Sequence, residues 1–155
     1  PYPYLPQLRM EPPLERDVDV FFSGTMTSHR RAIIHELEKH LSVYWSDWFP
    51  NALRQRFAAR AKVALDLRQG LSWPYPSPMR YWYHLNRGGL VLAENCPVES
   101  SLNRYLGRVS TEDIVAVVVD LVQSGQWEKW AAAMHERYVA ECPARPAAGA
   151  SRSRQ

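Results

Sequence analysis

The side chains best suited to bind a ligand gather where strands are expected to end and helices to begin. Arg80 lies in the first turn of a predicted helix that follows Ser77-Pro78, a serine N-cap with a proline at the first helical position. A guanidinium group and the free N–H groups of a helix start both suit phosphate oxygens. The pattern predicts a diphosphate site, and the alternative is that Arg80 pairs with Glu94 or another carboxylate.

A second group of candidates follows the first predicted strand. Gly24 and Thr25 lead into a helix whose first turn holds Arg30 and Arg31. Cations in that position oppose the helix dipole, so either a bound anion favours them or they are simply solvated. Gly24 closes a strand-to-helix turn, but the sequence holds neither GxGxxG nor GxxxxGK[ST]. Close packing of the chain explains this glycine equally well.

The remaining candidates follow the third and fourth predicted strands. Arg68 opens a ten-residue loop that ends at Ser77, and Glu94-Asn95 ends the fourth strand. A carboxylate at Glu94 suits the hydroxyl groups of a ribose or sugar, and it equally suits a cap on the next segment. Long loops at the carboxyl ends of strands often carry function.

Alternating strands and helices must position these residues. Strands are predicted at 18–22, 43–45, 62–67 and 90–93, and helices at 28–41, from Pro50, from Pro78, from about 111, and at 127–141. This order predicts an α/β fold: a Rossmann-like three-layer sandwich with a parallel sheet of four to five strands and helices on both faces. Four loops then converge at one sheet edge, at 23–28, 46–50, 68–77 and 94–101.

Length and composition fit one globular domain. The 155 residues are 46% hydrophobic. We expect a proline-rich extended lead-in at 1–16, a Rossmann-like domain at 17–142 and a disordered tail at 143–155. The net charge of +3 is too small to argue for nucleic acid, although it suits an anionic ligand.

Several compartments and chemistries are disfavoured. The sequence has no signal peptide and no apolar span of membrane length, and its two cysteines are far apart, which predicts a soluble protein of the reducing cytoplasm. It shows no zinc-ligand spacing and no DxD pair, so neither a metal nor another cofactor is expected. The five histidines fall on predicted helices, mostly at exposed or half-buried positions. No catalytic residue is assigned.

Four stretches within about 17–141 share their pattern and order with a known family. They are DVFFSGTMTSHRRAIIHELEKH, RFAARAKVALDLRQG, SPMRYWYHLNRGGLVLAEN and DIVAVVVDLVQSGQWEKWAAAMHERY. Together they resemble the C-terminal domain of GT-B glycosyltransferases. The resemblance implies a domain that binds the nucleotide diphosphate of a sugar donor. It places Gly24 and Thr25 near the phosphates, Arg80 near the diphosphate and Glu94 near the ribose or sugar, with transfer independent of metal.

Two departures from that family matter. The family often has a carboxylate at the start of the central helix, where this chain has Ser77-Pro78. A GT-B enzyme also needs a second Rossmann-like domain for the acceptor, which this sequence does not contain. The implied partner is therefore an acceptor-binding domain, in a longer chain or a separate subunit.

Two other readings stay open. In the first, the fold is a non-catalytic interaction or scaffold module that binds a protein through exposed aromatic residues around 73–82. The run Tyr81-Trp82-Tyr83 supports this reading, because three consecutive rings on a helix cannot all face the core. In the second, the chain is a response-regulator-like flavodoxin fold, although Ser23-Gly24 stands where that fold has an acidic cluster.

Overall fold

The computed structural model of the protein describes residues 2–8, 15–48 and 50–143. Strands and helices alternate through most of them. The strands are β1 (Val18–Ser23), β2 (Val43–Ser46), β3 (Ala61–Asp66), β4 (Leu90–Glu94) and β5 (Gly107–Val109). The helices are α1 (Ser28–Glu38), α2 (Asn51–Arg60), α3 (Pro78–Leu85), α4 (Ile114–Gln123) and α5 (Trp127–Glu141), with short 3-10 turns at Pro6–Leu8 and Asn103–Tyr105.

The five strands form one parallel sheet in the order β2-β1-β3-β4-β5. The predicted α/β sandwich is therefore confirmed. This order is the flavodoxin-like form of a doubly wound sheet, in which the chain moves outward in opposite directions from β1 and β3. A crevice forms at the carboxyl ends of those two strands, because the connections that leave them diverge.

Helices cover both faces of the sheet. One face packs against α1 and α4, through a core that includes Phe22, Ile34 and Val118. The opposite face packs against α2 and α3. The last helix, α5, serves both: Ala131 belongs to the first core and Tyr138 to the second. All five residues of β4 are buried, as expected of a central parallel strand.

Helix α1 shows how local chemistry sets an element's ends. Thr27 is its N-cap, and its hydroxyl accepts a hydrogen bond from the Arg30 N–H. The helix ends at Glu38, three residues before the predicted end at 41. Lys39 and His40 donate to carbonyls only three residues back, which tightens the last turn so that β2 can pair with β1 from Val43.

Two elements differ from the predictions. The segment 95–108, predicted to be irregular, ends in the short strand β5. A Cβ on Gly107 would lie 2.2 Å from Leu92 Cδ2, so β5 approaches β4 too closely for any side chain there, and glycine gave no strand signal. On α2, where a leucine would be expected to face the core, Leu53 is 43% exposed, whereas Ala58 and Ala59 are buried.

Residues 2–8, predicted as part of an extended lead-in, pack against α3 and α5. Tyr4 is buried, and its N–H donates to the Cys142 carbonyl at 2.7 Å. The Tyr138 hydroxyl donates to the Tyr2 carbonyl, and Trp82 Nε1 donates to the Pro3 carbonyl. The rest of the predicted lead-in at 9–14 and the predicted tail at 144–155 lie outside the described residues. None of the described helices is both long and apolar enough to cross a bilayer.

Candidate functional site

A cleft of about 460 Å³ opens at the carboxyl edge of the sheet, beside the point where β1 and β3 diverge. Ligands of doubly wound sheets bind at this place. We call it the open cleft. Its walls come from the end of β1, the loop after β2, helix α2 and the first two turns of α3, and its lining residues are Ser23, Gly24, Asp47, Trp48, Arg54, Ser77, Met79, Arg80, Tyr83 and His84.

Arg80 projects from the first turn of α3 into the cleft wall. It forms an ion pair with Asp66, the buried last residue of β3, so its carboxylate partner is Asp66 rather than Glu94. Its guanidinium also lies 5.7 Å from the centre of the Phe22 ring. Burial, and secondarily the nearby Arg30 cation, lower the pKa of Arg80 to about 10. Arg80 therefore stays charged at neutral pH.

Gly24 provides the space that Arg80 occupies. Its φ of +153° is one that side-chain-bearing residues rarely adopt, and a Cβ there would lie 2.9 Å from Arg80 Nη2. The glycine therefore serves a close approach by the arginine, which is the packing role that the sequence left open.

Arg54 on α2 is the second cation of the cleft. Its guanidinium lies 6.0 Å from the centre of the Tyr83 ring, and Arg87 lies over the same ring at 3.6 Å. Arg54 Nε, Tyr83 OH and Arg87 Nε are buried without a hydrogen-bond partner among the described residues. Within the same part of the chain, no carboxylate pairs with Arg54. Arg54 was not among the site residues predicted from the sequence.

The start of α3 contributes backbone donors. Ser77 is the N-cap, as predicted, but its side chain makes no capping hydrogen bond. The N–H groups of Arg80 and Tyr81 bond to the Ser77 carbonyl, whereas none of the described backbone carbonyls accepts from the Met79 N–H. The positive end of the α3 dipole thus lies at the cleft, where the Met79 N–H is available to donate to a ligand.

His84 forms part of the cleft floor. It is 3% exposed and lies 5.8 Å from Phe21, ring centre to ring centre. Burial, and then the cations of Arg80, Arg87 and Arg54, lower the pKa of His84 to about 3. Its imidazole is therefore neutral at physiological pH. The prediction of mostly exposed or half-buried histidines missed this one, although its position four residues after Arg80 puts both on one face of α3.

Glu94, at the end of β4, is the centre of a different arrangement. Its side chain is 0% exposed. It accepts hydrogen bonds from His29 Nε2 at 2.9 and 3.0 Å, from the Arg68 N–H at 2.8 Å and from Thr111 Oγ1 at 2.5 Å. Burial alone would raise the pKa of Glu94, but the hydrogen bonds from Thr111, His29 and Arg68 outweigh it and lower that pKa.

The guanidinium of Arg30, near Glu94, also has protein hydrogen-bond partners. It donates to the backbone carbonyls of Leu67, Arg68 and Thr25 at 2.7–3.1 Å. Arg30 thus connects the loop after β1 to the loop after β3. Protein carbonyls fill the place of the bound anion, which was one of the two alternatives that the sequence left open. We call His29, Arg30, Arg68, Glu94 and Thr111 the closed cluster.

The structure separates the predicted site residues into two groups and two outliers. Gly24, Ser77 and Arg80 line the open cleft. Arg30, Arg68 and Glu94 belong to the closed cluster, and the Arg68 side chain donates to the carbonyls of Trp73 and Leu71 in its own loop. The outliers are Thr25, which is exposed and contributes a carbonyl to Arg30, and Asn95, which is exposed and donates its N–H to the Val109 carbonyl.

Asp66 is the functional candidate that the sequence analysis passed over. It ends an otherwise apolar strand and is 4% exposed. A carboxylate on a buried strand beside the ligand edge of a parallel sheet requires a partner, and that requirement was a usable signal.

Large apolar side chains are exposed on the loops after β2 and β3 and at the start of α3, and two of them, Trp48 and Met79, line the cleft. Trp48 is 76% exposed, and Trp73 and Tyr75 are in edge-to-face contact at 5.8 Å while both remain exposed. Leu71 and Met79 are also exposed. We call these five residues the aromatic rim. Trp82 is not among them, because it packs against residues 2–8.

The described residues contain no group of three or more His, Cys, Asp or Glu side chains placed to hold a metal ion. Comparison with models of known protein families and with curated protein sequences gives no significant match. A function for this chain therefore rests on the shape and charge of the open cleft.

Proposed function

We propose that this chain binds the diphosphate of a nucleotide-sugar in the open cleft and acts as the donor-binding half of a glycosyltransferase. The observation that supports this is the convergence of two arginines and a helix start on one cleft. Arg80 and Arg54 both line it, together with the unused Met79 N–H. Guanidinium forks and helix N-termini are the groups that proteins use most readily for phosphate oxygens.

The two cations contribute differently. Arg80 is partly neutralised by Asp66, which also fixes its position. Arg54 has no carboxylate partner in the described chain, so no ion pair offsets its charge and a ligand anion can pair with it. The cleft volume of about 460 Å³ lies within the usual range for small-molecule sites.

In the proposed reaction, the bond between the anomeric carbon of the sugar and a diphosphate oxygen breaks while an acceptor hydroxyl attacks the carbon. Negative charge grows on the departing diphosphate. Arg80 and the α3 start stabilise that charge because they are held in place before the reaction. An acceptor-binding domain supplies the acceptor and the group that takes its proton.

A ligand titration tests the proposal. The full chain is titrated with UDP, GDP and their sugar derivatives while its thermal unfolding is followed. At a ligand concentration near 100 times the dissociation constant, binding adds about 2.7 kcal/mol to the free energy of unfolding. If none of these nucleotides shifts the transition, the proposal is overturned.

Arginine variants then locate the site. Arg54→Ala and Arg80→Ala should each weaken nucleotide binding by about 1.5–3 kcal/mol, as for a hydrogen bond to a charged group. Arg56→Ala is the matched control, because Arg56 is exposed on the same helix but does not line the cleft. Equal affinities for all three variants and the parent would remove the site from this cleft.

The aromatic rim favours a second candidate, a protein-interaction module. Exposed aromatic side chains that contact each other, such as Trp73 and Tyr75, are typical of protein contact surfaces. If the rim serves a protein partner, Trp73→Ser combined with Tyr75→Ser leaves nucleotide affinity unchanged. A loss of nucleotide affinity in this double variant would instead make the rim part of the ligand site.

A further inference from the structure

The outer edge of the sheet at β2 is open. β2 pairs with β1 on one side, and none of the described strands pairs with its other side. Edge strands are commonly protected by lysine, proline or a bulge. The sequence of β2, VYWS, has none of these residues, and Tyr44 and Trp45 are 42% and 37% exposed.

The backbone of β2 shows which groups are free. The carbonyls of Ser42 and Ser46 accept hydrogen bonds from Val20 and Gly24, on the β1 side. Successive residues of a strand direct their N–H and C=O groups to alternate sides. The backbone N–H and C=O of Tyr44 therefore also point toward β1. Val43 and Trp45 therefore direct both of their backbone groups outward.

This pattern fits the same strand running in the opposite direction. Two antiparallel copies of β2 can join Val43 of each to Trp45 of the other as hydrogen-bonded pairs, which satisfies all four outward N–H groups and all four carbonyls in the two strands. Tyr44 then lies opposite Tyr44 of the second copy. In this register Val43 meets Trp45 on the α1 face, and apolar cross-strand pairs of this kind stabilise sheets.

Helix α1 adds charge complementarity. A groove of about 580 Å³ runs between α1 and β2, and Arg31, His35 and Glu38 line it along one side of the helix with Trp45 opposite. Arg31 lies toward the start of α1 and Glu38 at its end. An antiparallel copy of α1 therefore brings Arg31 of each chain toward Glu38 of the other, with His35 near the symmetry axis.

We infer that two copies of this chain form a two-fold dimer through β2 and the Arg31–Glu38 side of α1, which joins their sheets into one of ten strands. The axis is perpendicular to the sheet, because that operation keeps Tyr44 on the α2 face and Trp45 on the α1 face in both copies. The contact is isologous, since each copy uses the same surface.

Sedimentation equilibrium of the full chain tests the dimer directly. The mass should approach twice the chain mass of 17.9 kDa as the concentration rises from about 1 to 100 μM, a range that covers micromolar dissociation constants, and a tighter dimer should show the doubled mass throughout. A single species of monomer mass throughout this range would overturn the inference.

Charge reversal tests the predicted pairing. Arg31→Glu places like charges together twice in each dimer, and so does Glu38→Arg. Each variant should raise the dissociation constant about tenfold or more. An equal mixture of the two variants restores opposite charges at both contacts and should associate like the parent. Glu112→Arg, an exposed substitution before α4, is the control and should have no effect.

Thermal unfolding of each variant confirms that it is folded. This check is needed for Glu38→Arg, because Trp45 Nε1 donates to Glu38 at 3.0 Å. Single variants that dimerise like the parent, or a mixture that stays monomeric, would exclude the proposed charge contacts.

A crosslink tests the register. Residues opposite each other in a non-hydrogen-bonded antiparallel pair have Cα atoms about 4.5 Å apart, within disulfide range. Tyr44→Cys should therefore give a covalent dimer on mild oxidation. Val98→Cys, exposed in the loop after β4, and the parent with its own two cysteines should not. A Tyr44→Cys protein that stays uncrosslinked while sedimenting as a dimer would exclude this register.

Discussion

The open cleft and the closed cluster lie on the same edge of the sheet and use similar residues in different ways. The Glu94 carboxylate accepts hydrogen bonds from three residues of the protein. The Arg30 guanidinium donates to three backbone carbonyls. In the cleft, Arg80 has one carboxylate partner, and Arg54 has none among the described residues. Residue type alone therefore does not mark a ligand site. Unused hydrogen-bonding capacity beside a cavity is the better indicator.

Arg30 and the Phe22 ring connect the two regions. The Phe22 ring lies 5.4 Å from the Arg30 guanidinium and 5.7 Å from that of Arg80. Arg30 also fixes the loop after β3 to the loop after β1. Arg30, whose hydrogen bonds go to backbone carbonyls and not to Glu94, thus holds the wall of the open cleft in position. This lowers the ordering cost of binding a ligand there.

The largest effect is expected when the closed cluster is broken. Glu94→Ala leaves His29, Thr111 and the Arg68 N–H without their shared acceptor, so the free energy of unfolding should fall by about 3–5 kcal/mol, as when a buried pair loses one partner. Urea denaturation measures this. Glu99→Ala is the control, because Glu99 is an exposed carboxylate whose partners, Arg108 and Asn103, also reach solvent. The loss of stability in this variant should be much smaller.

The same variant separates the two regions. A folded Glu94→Ala protein should keep its nucleotide affinity within a few fold, since Glu94 does not line the cleft. If nucleotide binding disappears while the fold persists, the closed cluster contacts the ligand and the distinction between the regions is wrong.

The next effect concerns His84 and pH. The unfolded chain binds a proton on this imidazole below its ordinary pKa of about 6.5, whereas the folded chain binds it only near its pKa of about 3. The unfolded state therefore holds more protons in this interval, and stability falls as pH decreases, by up to about 1.4 kcal/mol per pH unit from this group.

Urea denaturation between pH 4.5 and 8 measures this dependence. In His84→Leu, the part of the fall in the free energy of unfolding that this imidazole causes between pH 6 and 4.5 should disappear. Above pH 7.5 the free energies of unfolding of the variant and the parent should change with pH in parallel. An unchanged slope in His84→Leu would mean that the imidazole is not held neutral beside the cleft cations.

Gly24→Ala should have a moderate effect on both stability and binding. The new methyl group meets Arg80 Nη2 at an unfavourable φ, so the free energy of unfolding should fall by about 1–2 kcal/mol. Displacement of the guanidinium should also weaken nucleotide binding about tenfold, measured by calorimetry. Gly70→Ala is the control, because a Cβ there meets no described atom within 4 Å. Identical affinities would show that Arg80 does not need this space.

The smallest stability effect is expected at Arg54. Arg54→Ala removes a cation without a carboxylate partner in the described chain, so the free energy of unfolding should change by no more than about 0.5 kcal/mol, even though nucleotide affinity falls. A large loss of stability would show that Arg54 is structural, like Arg30, and would weaken the contrast between the two regions.

The sequence was informative where a signal is local. Alternating apolar runs predicted four of the strands, and Ser77-Pro78 predicted the start of α3. The predicted start of α1 at residue 28 agrees with the observed N-cap at Thr27. These features depend on residues a few positions apart, so periodicity and capping rules capture them.

The roles of the polar residues were not local. His29 meets Glu94 across 65 positions, and Arg30 meets the Leu67 carbonyl across 37. Whether an arginine at a helix start is free or satisfied depends on loops that only the folded sheet brings together. For that reason the sequence indicated the loops at the carboxyl edge of the sheet but did not show that Arg30 is satisfied there by backbone carbonyls, whereas Arg54 has no carboxylate partner among the described residues.

Helix α5 has a consequence for how the molecule unfolds. Its side chains enter both hydrophobic cores, with Ala131 on one face of the sheet and Tyr138 on the other. If either core unfolds, α5 loses its packing there and can no longer stabilise the other core. The two cores should therefore behave as one cooperative unit, with a single calorimetric transition and amide hydrogens in β3 and β4 that exchange only through global opening.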